Sequence, residues 1–232
     1  MNFDAEAFDF NFDFSDSGEA VGVEHVVETT EQLPVPKRYD RRKIEKREYI
    51  NGLKKQALTE LIKELPPPDT DLYIISNGSG GTFKQAGDPL IFEFGHFIPV
   101  LVGMLGGRGC IAYVSTWTMA RQHALNMLQM VDTGEIAHLA VMTDAYFLRR
   151  ESAIANQLVT GLQARGQRFI AFKNHTKALT ISNAEGTRFV TVTGSANLSS
   201  QPRAENFNLT TDPGLHAFLR DEFFEVMLAH AS

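Results

Sequence analysis

The amino-acid sequence predicts an α/β fold, with a mixed sheet flanked by helices. Three observations carry this prediction. From Asp69 onward, short runs rich in β-branched residues alternate with helical patterns. Between Phe169 and Thr211, strand patterns follow one another with no room for helices, which predicts antiparallel strands within the same sheet. A helical pattern from Gly214 to Ala229 then closes the chain.

The elements follow in order. Residues 1–36 read as a disordered acidic tail, with no Lys or Arg and with Phe alternating with Asp or Asn in A-F-D-F-N-F-D-F-S-D. Such a segment either solubilises the chain or docks its phenylalanines on a protein partner. Residues 37–68 read as a helix and its stop. Asp40 is an N-cap candidate, Tyr49, Ile50, Leu53, Ala57, Leu58, Leu61, Ile62 and Leu65 recur at helical spacing, and Pro66-Pro67-Pro68 ends the pattern. The chain's net charge is −6, yet residues 37–63 hold ten of its 22 Lys and Arg. The overall charge therefore hides a basic segment suited to a phosphate backbone, or to solvent.

Residues 69–232 form the third region. D-L-Y-I-I-S-N reads as a strand, and the glycine-rich G-S-G-G-T-F-K after it as a loop. That loop fails the phosphate-loop pattern, because Lys84 is not followed by Ser or Thr. Phe94–Leu105 reads as a helix, C-I-A-Y-V-S-T-W as a strand, Met119–Met130 as a helix and H-L-A-V-M-T-D as a strand. Glu151–Ala164 reads as a helix ended by Gly166. Four strand patterns follow: R-F-I-A-F, N-H-T-K-A-L-T-I, R-F-V-T-V-T-G and F-N-L-T-T.

Composition narrows the class. The single cysteine, Cys110, excludes an internal disulfide framework and a cysteine-based zinc site. No apolar run approaches the roughly 18–20 residues that cross a bilayer. The acidic start lacks the basic region of a signal peptide. The expectation is a soluble, cytoplasmic protein with no membrane partner.

The stretch N-H-T-K-A-L-T-I, Asn174–Ile181, raises the chemical question. Read as a strand, it places His175 and Lys177 on one face with Leu179 and Ile181. A lysine on an apolar face needs either water or an anion. A second stretch, T-V-T-G-S-A-N-L-S-S, sets Gly194, Ser195 and Asn197 where a strand ends. Cation, amide, hydroxyl and imidazole together outline a phosphate site. Glu205, a few residues on, is placed to return along the next strand and hold one ring nitrogen of His175. Ser115 and Trp117 end the strand expected beside these two. Trp117 reads either as core or as a surface for a base or sugar at the site's rim.

At these residues the sequence resembles the phospholipase D superfamily, whose signature is H-x-K-x4-D followed by G-S-x-N. His175-Thr176-Lys177 and Gly194-Ser195-Ala196-Asn197 match the two blocks. The chain departs from the signature at Ser182, where the family has Asp, and N-A-E-G lengthens the connection to Gly194. One motif copy is the arrangement of the short bacterial nuclease branch.

The resemblance implies a metal-independent phosphodiesterase that needs no cofactor. His175 would form a phosphohistidine, Lys177, Asn197 and Ser195 would hold the non-bridging oxygens, and Glu205 would orient His175. Gly194, Ser115 and Trp117 would line the substrate. A second histidine is needed as acid, and a homodimer would bring His175 of each chain to one shared site. His123 reads as a helix-surface residue and His138 as a strand-edge residue, while His96 sits where F-E-F-G-H approaches the groove. Nucleic acid is the expected substrate, DNA favoured over RNA. The alternative is a catalytically degenerate module that binds nucleic acid or recruits a partner.

Overall fold

The computed structural model describes residues 41–77, 92–199 and 204–230. The acidic tail, Asp40 and G-S-G-G-T-F-K lie outside the described residues.

The expected alternation is present. Helix α1 spans Arg41–Ile62, and β1 (Leu72–Asn77) follows the proline stop. Next come α2 (Phe94–Met104), β2 (Cys110–Thr116), α3 (Arg121–Asp132) and β3 (Ile136–Asp144). A short α4 (Ala145–Arg150), which no sequence pattern announced, precedes α5 (Ser152–Gln163) and β4 (Arg168–Phe172). Strands β5 (Ala178–Ser182), β6 (Phe189–Gly194) and β7 (Ala204–Thr210) form a meander. The closing helix starts as α6 (Pro213–Ala217), widens to π-helix over Phe218–Glu225 and ends as α7 (Val226–Ala229).

The seven strands form one mixed sheet in the order β1-β7-β6-β5-β2-β3-β4. Pairs β2–β3 and β3–β4 are parallel, and the others are antiparallel. Strand β4 therefore departs from the all-antiparallel expectation after Phe169. Helix α5 supplies the crossover that lets β4 return parallel to β3.

Period-2 alternation sends side chains to two different cores. Ala112 and Val114 of β2, Leu179 and Ile181 of β5 and Phe207 of β7 enter the larger core with Leu58, Phe97 and Leu101 of the helices. Tyr113 and Ala178 turn to the other face, against Leu219, Phe224 and Leu228 of the closing helix. β5 lies between them, and all five of its residues are buried. Each large apolar side chain buried this way contributes about 1.5–3 kcal/mol. At the open edge, Tyr73 and Ile75 of β1 remain exposed.

One strand boundary corrects the sequence reading. N-H-T-K is not in β5, which begins at Ala178. The Asn174 side chain accepts a hydrogen bond from the Thr176 amide at 2.9 Å, an Asx turn that diverts the backbone before pairing starts. His175 and Lys177 thus leave the sheet's alternation.

Candidate active site

Strands β2, β3, β4 and β6 end, and β5 and β7 begin, at the same edge of the sheet. The sequence-predicted residues meet there. The loop 173–177 is held from below. The Asn174 side-chain amide donates to Ser115 Oγ at 2.9 Å, and Ser115 Oγ donates to the Thr176 carbonyl at 3.2 Å. The Asn174 backbone N–H donates to Asp144 Oδ2 at 2.9 Å, while Asp144 Oδ1 caps α4 through the Tyr146 amide at 2.7 Å. Ser115 is fully buried, so it positions the loop rather than lining a substrate surface.

His175 is exposed and Lys177 is buried. Lys177 Nζ donates to the His175 carbonyl at 2.7 Å and lies 3.2 Å from His175 Nδ1. An ammonium has no lone pair, so Nδ1 accepts, and the proton of a neutral ring sits on Nε2. Burial lowers the Lys177 pKa, and the Glu205 carboxylate opposes that shift.

The second motif block docks directly on the first. The Gly194 N–H donates to the Lys177 carbonyl at 3.3 Å. Gly194 is required by close approach: a Cβ there would lie 2.5 Å from the Asn206 carbonyl oxygen and 2.9 Å from Phe207 Cδ1. Ser195 is exposed, and its N–H donates to the Asn206 carbonyl at 3.1 Å. Asn197 is buried, and its Oδ1 has no hydrogen-bond partner. The block is pinned beyond Asn197 as well, since the Leu198 N–H donates to Thr116 Oγ1 at 3.1 Å and the Leu198 carbonyl accepts from the Ala120 N–H at 2.7 Å.

Glu205 departs from its expected role. Its carboxylate accepts from Ser195 Oγ, while His175 Nδ1 pairs with Lys177 Nζ. The β6–β7 register explains this, because Gly194 faces Phe207 and so places Ser195 against the start of β7. Trp117, half-buried just past β2, lies 5.9 Å from the His175 ring and stacks on Tyr146 at 5.8 Å and 6°.

A second cluster escaped the sequence reading. Glu93 caps the start of α2, and its Oε1 accepts from Lys54 Nζ of α1 at 2.6 Å. Its Oε2 lies 2.9 Å from His123 Nε2 of α3. His96 Nδ1 accepts from the Glu93 N–H at 3.0 Å. His123 is therefore buried rather than a helix-surface residue, packed so closely that a Cβ on Gly95 would fall 2.2 Å from its Nδ1. His96 is buried as well. Only the spacing of two histidines on adjacent helices hinted at the group. Burial alone would raise the Glu93 pKa, but hydrogen bonds from His123 and Lys54 overcome it and hold the carboxyl below the carboxylate range. Burial and the neighbouring His123 push His96 down to about 3.

Ligand atoms of Glu93, His96 and His123 lie within 4.8 Å of one another, a spacing compatible with a metal ion. The donor set argues otherwise. Both carboxylate oxygens are already committed, one of them to an ammonium, and His96 Nδ1 already accepts a backbone N–H. Among the described residues, no helix is long and apolar enough to cross a membrane.

No protein-family model matches the chain, and no curated protein matches it. Among solved structures, it is similar to polyphosphate kinase from Porphyromonas gingivalis, with 10% identity and a TM-score of 0.48. The alignment covers 74% of this chain and 29% of that one, so this chain spans less than a third of that enzyme's length.

Proposed function

We propose that this protein is a metal-independent phosphodiesterase, specifically a nuclease, working through a phosphohistidine in a homodimeric site. The supporting observation is the Gly194–Lys177 backbone bond, which joins the second motif block to a first block whose exposed His175 imidazole lies beside the Lys177 ammonium. Asn197, buried on the second block, brings a side-chain NH2 that can donate to a phosphate oxygen. Donors fixed in advance around one point are what a developing phosphorane charge needs.

In this reading the substrate phosphate draws Lys177 Nζ onto a non-bridging oxygen. His175 Nδ1 is then released and can carry the ring proton, which frees the Nε2 lone pair. Nε2 attacks phosphorus, a P–N bond forms and the P–O bond to the leaving nucleotide breaks. A second histidine protonates that oxygen, then takes a proton from water as the water cleaves the P–N bond. Among the described residues, His96, His123 and His216 are buried, while the exposed His138 sits near the start of β3, away from the end that meets the site, and the exposed His230 follows the closing helix. The acid is accordingly assigned to His175 of a second copy. The basic segment that enters α1 supplies sequence-independent attraction to DNA.

The decisive experiment is cleavage of a fluorescent phosphodiester, plasmid and single-stranded DNA in EDTA, by wild type and His175→Ala. Activity that survives chelation and vanishes in the variant is expected. Wild-type activity that disappears with EDTA would sink the proposal. A second reading, a phosphate-binding module without catalysis, draws on Ser182 and on the engagement of Glu205 with Ser195 rather than His175. Salt-sensitive DNA binding with no cleavage under any condition would select it.

A further inference from the structure

The Trp117–Tyr146 pair is not accounted for by packing. Trp117 is half-buried and Tyr146 is 44% exposed, although the rings lie within 6° of parallel. A pair serving only the core would bury both faces. The Arg150 guanidinium lies 5.9 Å from the Tyr146 ring centre, giving the wall a cationic edge. Arg149, next to Arg150 in the chain, and Lys173, two residues before His175, are both exposed. At its other end the wall meets His175, whose ring lies 5.9 Å from that of Trp117.

We infer that Trp117, Tyr146 and Arg150 form a stacking subsite for a base of single-stranded nucleic acid, beside the phosphate that His175 attacks. The inference rests on the nuclease reading and names the form of its substrate. One sugar joins a base to its phosphate. A base against this wall and a phosphate at His175 therefore belong to the same or neighbouring nucleotides. In a duplex both faces of each base are occupied by stacked neighbours, whereas a single strand offers them to aromatic side chains. Arg150 adds attraction for the backbone and for the ring face. The Asp144 cap couples the wall to the site, since one carboxylate holds both the Tyr146 and Asn174 amides.

Trp117 is the only tryptophan in the chain, so its fluorescence reports on the subsite directly. The full-length protein, in a His175→Asn background to prevent turnover, is titrated with single-stranded oligothymidylate. A strand of equal length with abasic sugars serves as the control. Saturable quenching by oligothymidylate, absent with the abasic strand, is expected. Tyr146→Ala is expected to weaken oligothymidylate binding about tenfold. Tyr146→Phe should restore it, and abasic-strand binding, followed by anisotropy, should not change. Equal quenching by both strands, no quenching, or equal loss of both affinities in Tyr146→Ala would overturn the subsite. Cleavage in EDTA without base-dependent quenching leaves the nuclease reading standing and removes the subsite. Base-dependent quenching in a protein that cleaves nothing keeps the subsite and removes the nuclease reading.

Discussion

Gly194 carries more of the site than its lack of a side chain suggests. It lets β6 and β7 approach and simultaneously ties the G-S-A-N block to Lys177. Gly194→Ala drives a methyl into the Asn206 carbonyl and the Phe207 ring. It should cost about 1–3 kcal/mol in urea unfolding and lower hydrolysis further by displacing Ser195. An unchanged unfolding midpoint would contradict this account. Lys177→Met should leave the fold intact and remove hydrolysis, because its ammonium is assigned to the phosphate oxygens. At this scale the sequence was informative about His175, Lys177, Ser195 and Asn197, whose spacing is local. It could not show that Asn174, Ser115 and Asp144 position the loop, since these contacts join residues 30 to 61 positions apart. Nor could it show that Glu205 would meet Ser195, which depends on the β6–β7 register.

At the level of elements, α1, α2 and α3 are joined through Glu93. Both ends of the Lys54–Glu93 pair are almost buried, with side-chain exposures of 9% and 12%. Glu93→Ala would strand the Lys54 ammonium and the His123 ring. A loss of about 3–5 kcal/mol is expected by urea denaturation, in contrast to the small effect of breaking an exposed pair. The same elements set a pH dependence. His96 is depressed to about 3 and His216 to about 4, in both cases chiefly by burial, against an ordinary 6.5. The unfolded chain therefore binds more protons than the folded one between those values. Stability is complete above pH 6.5 and falls as the pH drops towards 4, by on the order of 1.4 kcal/mol per unit for each histidine. His216→Asn should flatten the fall in melting temperature between neutral and mildly acid pH. The strand and helix patterns were readable for these elements because apolar spacing is a local signal. The buried polar cluster was not, since His96 and His123 reach Glu93 from different helices.

For the whole molecule, the shared-site reading makes a quantitative prediction. When wild type and His175→Ala are refolded together, activity should follow the square of the wild-type fraction, because both histidines must come from active copies. A linear dependence would place the acid within one chain. The mixed sheet was expected from the order of strand and helix patterns, yet β4 turned out parallel to β3. Pairing direction is decided by the crossover helix that precedes a strand, not by the strand's own residues.

The β5–β6–β7 meander has short connections and little loop entropy to overcome, so it can form early. Its seam with β2 brings together Ser115 and Thr176, 61 residues apart, and must close a far longer loop. His175 sits on the wrong side of that seam to be positioned early. Pulsed hydrogen exchange during refolding should therefore protect the amides of β6 before that of Asn174. The chain would thus hold its three-stranded meander before its chemistry exists, and Ser115→Ala should delay catalytic competence more than it delays collapse.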